Sequence, residues 1–265
     1  ATKKKTKPAD DSDGTFVRSA LIALLDKCLL VTQKNSLYPA ADCVQIANKQ
    51  MAANDGRSAV IVNIGKNIAD HPIVVNGYRL KQVLSQMSGD TVTCTADDGE
   101  LTVSCGKART GLSLMQGNIQ LPDLKKVGEL SELPPDFSDC ITSAVKFTKD
   151  GNGLENADIL ESVLVRNNCV YATDRIKVYR RAMEGEIEGR MLIPTAYLKA
   201  VSSFAPVNFV ETEQNLIFGN GLGFLFIPKL SGDYPDLDQF MQKGNELEVR
   251  GVIKLPENGA VERIM

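Results

Sequence analysis

The sequence predicts an α+β fold in which one domain is written twice, each copy carrying two helices on one face of antiparallel sheet. Three observations lead there. Sliding the chain against itself by 119 residues pairs Val44 with Val163, Asn48 with Asn167, Ala53 with Ala172, Asp55 with Asp174, Ile68 with Ile187 and Tyr78 with Tyr197. Ile46 with Val165, Met51 with Val170 and Ile73 with Leu192 add conservative matches. The second observation is that local signals come in the same order in both halves: helix, strands around an Asp-bearing turn, a strand, a short helix and three strands. The third is a Pro-Asp-Leu triplet near the end of each copy, at 122–124 and 235–237.

The first copy opens on "TFVRSALIALLDKCLLV", whose length and spacing are helical, with Thr15 or Asp13 as the expected cap. "DCVQIANKQMAAN" and "SAVIVNIG" read as strands around a turn at Asp55-Gly56. Asn76 is placed to cap "GYRLKQVLSQM", and "DTVTCTAD", "ELTVSCG" and "RTGLSLM" alternate like half-buried strands. The second copy repeats this plan: "DFSDCITSAVKFT" as first helix, "ESVLVRNNCVYATD" and "IKVYRRAM" as strands, Thr195 as the expected cap of "AYLKAVSSF", then "VNFVET", "NLIFGN" and "GFLFIPKL". Each Pro-Asp-Leu is expected to stop the last strand, because proline has no N–H for a sheet ladder.

These signals divide the chain into a solvated arm at 1–13, a first domain at 14–123, a linker at 124–136, a second domain at 137–245 and a tail at 246–265. The linker "LKKVGELSELPPD" is charged and carries a Pro-Pro pair that neither a helix nor a central strand accepts.

Composition narrows the function classes. Apolar residues make up 43%, enough for ordinary cores, and 30 Lys and Arg stand against 33 Asp and Glu. With no overall basic excess, any nucleic-acid contact must come from local charge placement. The longest apolar run is broken by Asp26 and Lys27, too short and too charged for a bilayer, and the N-terminus has no signal-peptide pattern, so a cytoplasmic location is expected. Six cysteines without metal-ligand spacing and a single histidine predict reduced core thiols, no metal and no cofactor. No glycine-rich phosphate loop, HExxH or GxSxG is present, and "KDGNGLENAD" (149–158) lacks the ligand spacing of a calcium loop, so the chain does not read as an enzyme.

The run "YATDRIKVY" and the later "KLSGDYPDL" resemble the bacterial DNA polymerase III β subunit, the sliding clamp. In that family the second domain carries an Ala-Thr-Asp-Gly-His-Arg-Leu turn, a Val-Pro strand end before a helix, and Ser-Lys-Leu followed by Phe-Pro-Asp-Tyr. Here Ala172-Thr173-Asp174-Arg175-Ile176-Lys177-Val178, Ile193-Pro194, Pro228-Lys229-Leu230 and Tyr234-Pro235-Asp236-Leu237 are similar to these. The family's Gly-His is replaced by Arg175-Ile176.

The resemblance implies a ring of six such domains around duplex DNA. Two domains per chain then imply a cyclic homotrimer with head-to-tail interfaces. Helices would line the hole, and Arg18, Arg79, Lys81, Lys146, Lys149 and Lys199 are the candidate phosphate contacts. A groove for short peptides of polymerase and clamp loader would lie beside Thr173, Arg175, Ile176 and Val178, bordered by Pro235, or else along the linker from Leu124 to Leu133. Two other readings stand beside this processivity factor: a clamp-like regulatory module that does not encircle DNA, and a duplicated ligand-binding protein with an apolar pocket.

Overall fold

Both copies form the predicted elements, and the computed structural model, which describes residues 14–34, 38, 40–97, 99–149 and 159–245, adds how they are joined. The first copy runs β1 (Thr15–Val17), α1 (Arg18–Cys28), β2 (Cys43–Ala47), β3 (Gln50–Asn54), β4 (Ala59–Asn63), β5 (Ile73–Asn76), α2 (Gly77–Gln86), β6 (Thr91–Asp97), β7 (Glu100–Cys105) and β8 (Ala108–Ser113). The second runs β9 (Ser131–Glu132), α3 (Phe137–Ala144), β10 (Ser162–Arg166), β11 (Cys169–Thr173), β12 (Val178–Ala182), β13 (Arg190–Pro194), α4 (Thr195–Phe204), β14 (Asn208–Glu211), β15 (Asn215–Asn220) and β16 (Gly223–Pro228). Both copies lie in one compact unit, residues 1–232; residues 233–265 form another, in which α5 (Leu237–Asn245) is the described helix.

The repeat is a repeat of strand register. Gln45 faces Ala52 and Met51 faces Val62 in the first copy; Leu164 faces Tyr171 and Val170 faces Arg181 in the second, each 119 residues on. One residue is then lost, because Val44 faces Val75 while Val163 faces Ile193. Ile73 therefore corresponds to Met191 and not to Leu192, the Tyr78–Tyr197 match is out of step by one, and Lys81 corresponds to Lys199. In the last hairpins the offset is 115, with Val103 facing Thr110 and Phe218 facing Leu225.

Each copy contributes two four-stranded halves of sheet. One pair stands alone at each end, as β1-β6-β7-β8 and β12-β11-β10-β13. The other pair fuses through β4 and β16 into one eight-stranded sheet, β5-β2-β3-β4-β16-β15-β14-β9. Alternation along the two joining strands sorts residues between faces. Val60, Val62, Leu225 and Ile227 belong to the large core under the helices, whereas Ala59, Ile61 and Phe226 form an outer cluster with Ala52 and Ile217. Leu121, Leu124 and Val127 pack on that outer cluster, so the predicted linker is a cover for the joint. It is also partly sheet, since β9 pairs with β14.

Helical spacing explains the inner layer. Leu21, Leu25 and Cys28 in α1 and Leu80 and Leu84 in α2 recur at turn intervals and are buried, as are Phe137, Cys140, Ile141 and Ala144 in α3. Gly223 lets the joint close: a Cβ there would come within 2.0 Å of the Ile61 carbonyl oxygen and 2.8 Å of Val62 Cα.

The expected caps are partly corrected. Asn76 accepts the Arg79 N–H at 3.0 Å as predicted. Thr15 does not cap α1; it lies in β1, with its hydroxyl 3.0 Å from that of Thr93. Thr195 is the first residue of α4 and follows Pro194, which takes the cap position without a side chain to donate or accept. The Pro-Asp-Leu triplets do not end strands either, because β8 and β16 finish at Ser113 and Pro228. They start helical turns: Asp123 Oδ1 accepts the Lys125 N–H at 3.0 Å, and Asp236 Oδ1 accepts the Gln239 N–H at 3.1 Å. Proline restricts the residue before it to extended backbone, so the helical turn begins only after it, at the aspartate cap. Asp13, the arm, most of 149–158 and the tail lie outside the described residues.

All six cysteines are free, and every one except Cys105 is buried. Burial pushes the Cys94 thiol up to about 12; burial, with the neighbouring carboxylates of Asp42 and Asp136, does the same for Cys43 and Cys140. Burial raises Cys28 as well. A disulfide reagent at pH 8 is attacked by thiolates, which expel its other half as the leaving thiolate. One fast-reacting thiol is therefore expected in the native protein and six in denaturant; several fast thiols in the native state would contradict this packing.

Candidate nucleic-acid interface

Among the described residues the helix layer carries basic residues on outward-facing positions, and one of these positions, Lys81 and Lys199, is repeated between the copies. The structure divides the six candidates by what they touch. Arg18 is half-buried and bound to the end of α2: its Nε donates to the Gly89 carbonyl at 2.7 Å and its Nη1 to the Leu84 carbonyl at 3.3 Å. A cation at a helix C-terminus meets unpaired carbonyls and the negative end of the helix dipole, so this contact is structural.

Arg79 and Lys199 are exposed on α2 and α4. Lys81, at the position equivalent to Lys199, pairs with Asp26 of α1 at 2.6 Å across half-exposed surface. A pair this exposed adds little stability. Lys146 and Lys149 are also exposed, at the end of α3, where Lys146 sits in a 3-10 turn, Val145–Phe147. The outward turns of the helices thus carry Arg79, Lys81, Lys146 and Lys199 against Asp26 and Asp139, with small or neutral residues such as Ser19, Ala20, Ala23, Gln82, Ser85, Thr142 and Ala196 between them. The face is weakly cationic although the whole chain has net charge −3.

Lys27, on the same helix as Arg18, is also held within the fold. Its ammonium donates to the Ser203 carbonyl and, at 3.2 Å, to the Phe204 carbonyl, and lies 5.8 Å from the Phe204 ring centroid. Lys27 therefore ties α1 of the first copy to the C-terminus of α4 in the second. Burial lowers its pKa.

The candidate peptide groove centres on a turn that both copies build alike. Asp55 Oδ1 accepts the N–H groups of Arg57 at 3.0 Å and Ser58 at 2.7 Å; Asp174 Oδ1 accepts those of Ile176 at 2.9 Å and Lys177 at 2.6 Å. The backbone donors of Lys177 and Ile176 hold the Asp174 carboxyl below the usual range. Thr173 is buried inside this turn, its hydroxyl donating to the Lys177 carbonyl at 2.7 Å and accepting the Arg175 N–H at 3.0 Å. Ile176 projects into solvent, 89% exposed, and Val178 begins the free edge strand β12. Pro235 falls in the second compact unit. Along the linker, a cleft is lined by Asp123, Lys126, Thr212, Asn215, Ile217 and Phe226.

Position 175 is a departure from the resembled motif that carries backbone strain. Its φ is 75°, in the left-handed region, and the equivalent residue of the first copy is Gly56 at 92°. A side chain there costs about 1 kcal/mol relative to glycine. Arg175→Gly is expected to stabilise the protein by about 1 kcal/mol in urea unfolding; a loss of stability would mean that the arginine side chain makes contacts outweighing the strain.

No protein-family model and no curated protein matches this chain. Solved structures do. The DNA polymerase III subunit β of Pseudomonas aeruginosa superposes with a TM-score of 0.72 at 15% identity, covering 93% of this chain and 68% of the other. The DNA polymerase sliding clamp of Bacillus subtilis gives 0.69 at 18%, over 85% and 66%. A Helicobacter pylori β clamp bound to a DNA ligase peptide gives 0.67 at 14%, over 85% and 68%. The chain has the sliding-clamp fold and spans about two-thirds of the length of those clamps. Among the described residues no helix is long and apolar enough to cross a membrane.

Proposed function

We propose that this protein is a DNA polymerase processivity factor: a sliding clamp that encircles duplex DNA, tethers polymerase and other replication proteins through short peptide motifs, and catalyses no reaction itself. The observation that carries this reading is a tandem unit whose four helices share one face of joined sheets, with that face weakly cationic on an acidic chain. A clamp must hold DNA without reading it. Lysine and arginine meeting phosphates give sequence-blind, salt-sensitive contact, and topological linkage supplies retention that tight binding would otherwise have to supply.

Arg79, Lys81 and Lys199 are the helix-face charges best placed for this, and Lys81 and Lys199 hold the same position of α2 and α4. A ring of six units takes three copies of a two-unit chain, joined head to tail. The turn at Thr173–Val178, with exposed Ile176, is the proposed peptide-docking region, by analogy with the clamp structure that holds a ligase peptide. Light scattering on the 265-residue chain tests the assembly, with a mass three times that of the monomer expected. Retention on closed circular DNA tests encirclement: protein loaded on a nicked circle is expected to run off when the circle is cut, and equal retention on circular and linear DNA would refute the proposal.

A further inference from the structure

We infer that Met115 is a site of oxidation by peroxide, and that turning its thioether into a sulfoxide releases the strap it fastens and uncovers the thiol of Cys43. The strap is the segment 114–121, which runs from β8 toward the linker. It meets β5 at one isolated bridge, where the Met115 N–H donates to the Val74 carbonyl at 2.8 Å. Beneath it lies a small buried cluster of Cys43, Val74 and Ile119, with Ala40 and Leu121 packed against it. Further along, the Ile119 N–H donates to Gln45 Oε1 at 2.7 Å and Asn54 Nδ2 to the Gln120 carbonyl at 2.5 Å. Leu121 also packs on the outer cluster, so the strap is continuous with the cover of the β4–β16 joint.

Met115 is 46% exposed, and clefts open on both sides of it, one lined by Asn76, Arg79 and Ser113, the other by His71, Gly99 and Asn118. Its Sδ nevertheless lies 3.0 Å from Sγ of Cys43, which is fully buried and stands 3.3 Å from Asp42 Oδ1. A thioether sulfur has two lone pairs. Cys43 covers one and leaves the other to solvent. Through that open lone pair the sulfur attacks a peroxide oxygen: the S–O bond forms as the O–O bond breaks, and sulfur gives up two electrons. The departing hydroxide takes the proton of the transferred oxygen and leaves as water. The product is chiral at sulfur, so one open lone pair yields one sulfoxide epimer. A sulfoxide is polar and draws water to a contact that was apolar. Water there removes the burial that, with Asp42, pushes the Cys43 thiol up to about 12.

The internal repeat separates this chemistry from packing. Through the offsets of 119 and 115, Cys43 corresponds to Ser162 and Met115 to Leu230. Leu230 lines the equivalent cleft of the second copy with Arg190 and Gly232, so that cleft forms without either sulfur. The sulfur pair belongs to the first copy alone, and it works within a single chain, whatever the assembly.

The test treats the Cys105→Ser protein with hydrogen peroxide and then removes the peroxide with catalase. Cys105 is the one cysteine that is not buried, so its replacement sets the count of fast thiols before oxidation to zero. Digestion, followed by the two methionine sulfoxide reductases that each reduce one epimer, reads the stereochemistry at every methionine. At Met115 one epimer is expected in about tenfold excess or more. Met241, 38% exposed and without a thiol contact among the described residues, is expected to give near-equal epimers. One fast thiol, mapped to Cys43, is expected to appear in step with Met115 sulfoxide. Met115→Leu in the same background is close to a volume-conserving swap and is expected to stay at zero fast thiols under the same treatment. Near-equal epimers at Met115, or no oxidation there, would overturn the site. Oxidised Met115 with no fast thiol, or an equal gain of thiol in Met115→Leu, would overturn the release.

Discussion

Replacing Arg79 and Lys199 with glutamate and Lys81 with glutamine is expected to reduce retention on circular DNA by more than about tenfold at moderate salt, with the oligomeric mass unchanged. The three positions belong to the exposed turns of α2 and α4, and two of them are the same position in successive copies. Three copies would multiply each lost charge by three. Glutamine is chosen at 81 because a glutamate there would face Asp26, 2.6 Å from the present ammonium, and confuse repulsion within the protein with loss of DNA contact. The residual binding should also depend less steeply on salt, because the slope counts neutralised phosphates. Unchanged retention with an unchanged salt slope would remove the helix layer from the interface.

Gly223→Val is expected to destabilise the protein by about 3 kcal/mol or more. The reason is backbone against side chain. A Cβ at 223 would lie 2.0 Å from the Ile61 carbonyl oxygen, and no rotamer can move a Cβ away. Either the β4–β16 ladder opens at this end or the strands shift, and the buried residues flanking it shift with them. Ala108→Val is the matched control. It alters the equivalent residue on the free edge β8, where exposure leaves room, and is expected to stay within about 0.5 kcal/mol of wild type in urea unfolding of the dilute protein. Equal effects at the two sites would mean that the joint does not carry the fold.

The duplication, the two-helix plan and nearly all strands were legible in the chain because period-2 and period-3.6 patterns are local consequences of which face is buried. The Asp55 and Asp174 turns were legible too, since an Asx side chain bonding the backbone two and three residues on needs only neighbours. The offset of 119 held through β12 and failed afterwards, because an ungapped comparison cannot register a residue lost between β12 and β13. Thr195 was misplaced as a cap by that one residue.

Other features were out of reach of sequence reasoning. Pro-Asp-Leu signals a stop as readily as a start; only the position of β8 and β16 shows that aspartate caps the turn that follows. Arg18 and Lys27 carry the same charge as the exposed helix-face cations, and their destinations, the ends of α2 and α4, lie 66 to 177 residues away in the chain. Likewise, nothing local to "AVIV" or "GFLFIP" tells that these two strands, and not their counterparts "VYRRA" and "ARTGLS", fuse the copies. By itself the sequence determined a unit, its repetition and its turn chemistry. Tertiary structure decided which edges meet, which cations are consumed by helix ends and which remain for solvent, because pairing between distant strands depends on the relative placement of whole sheets, and no short stretch of chain contains that information.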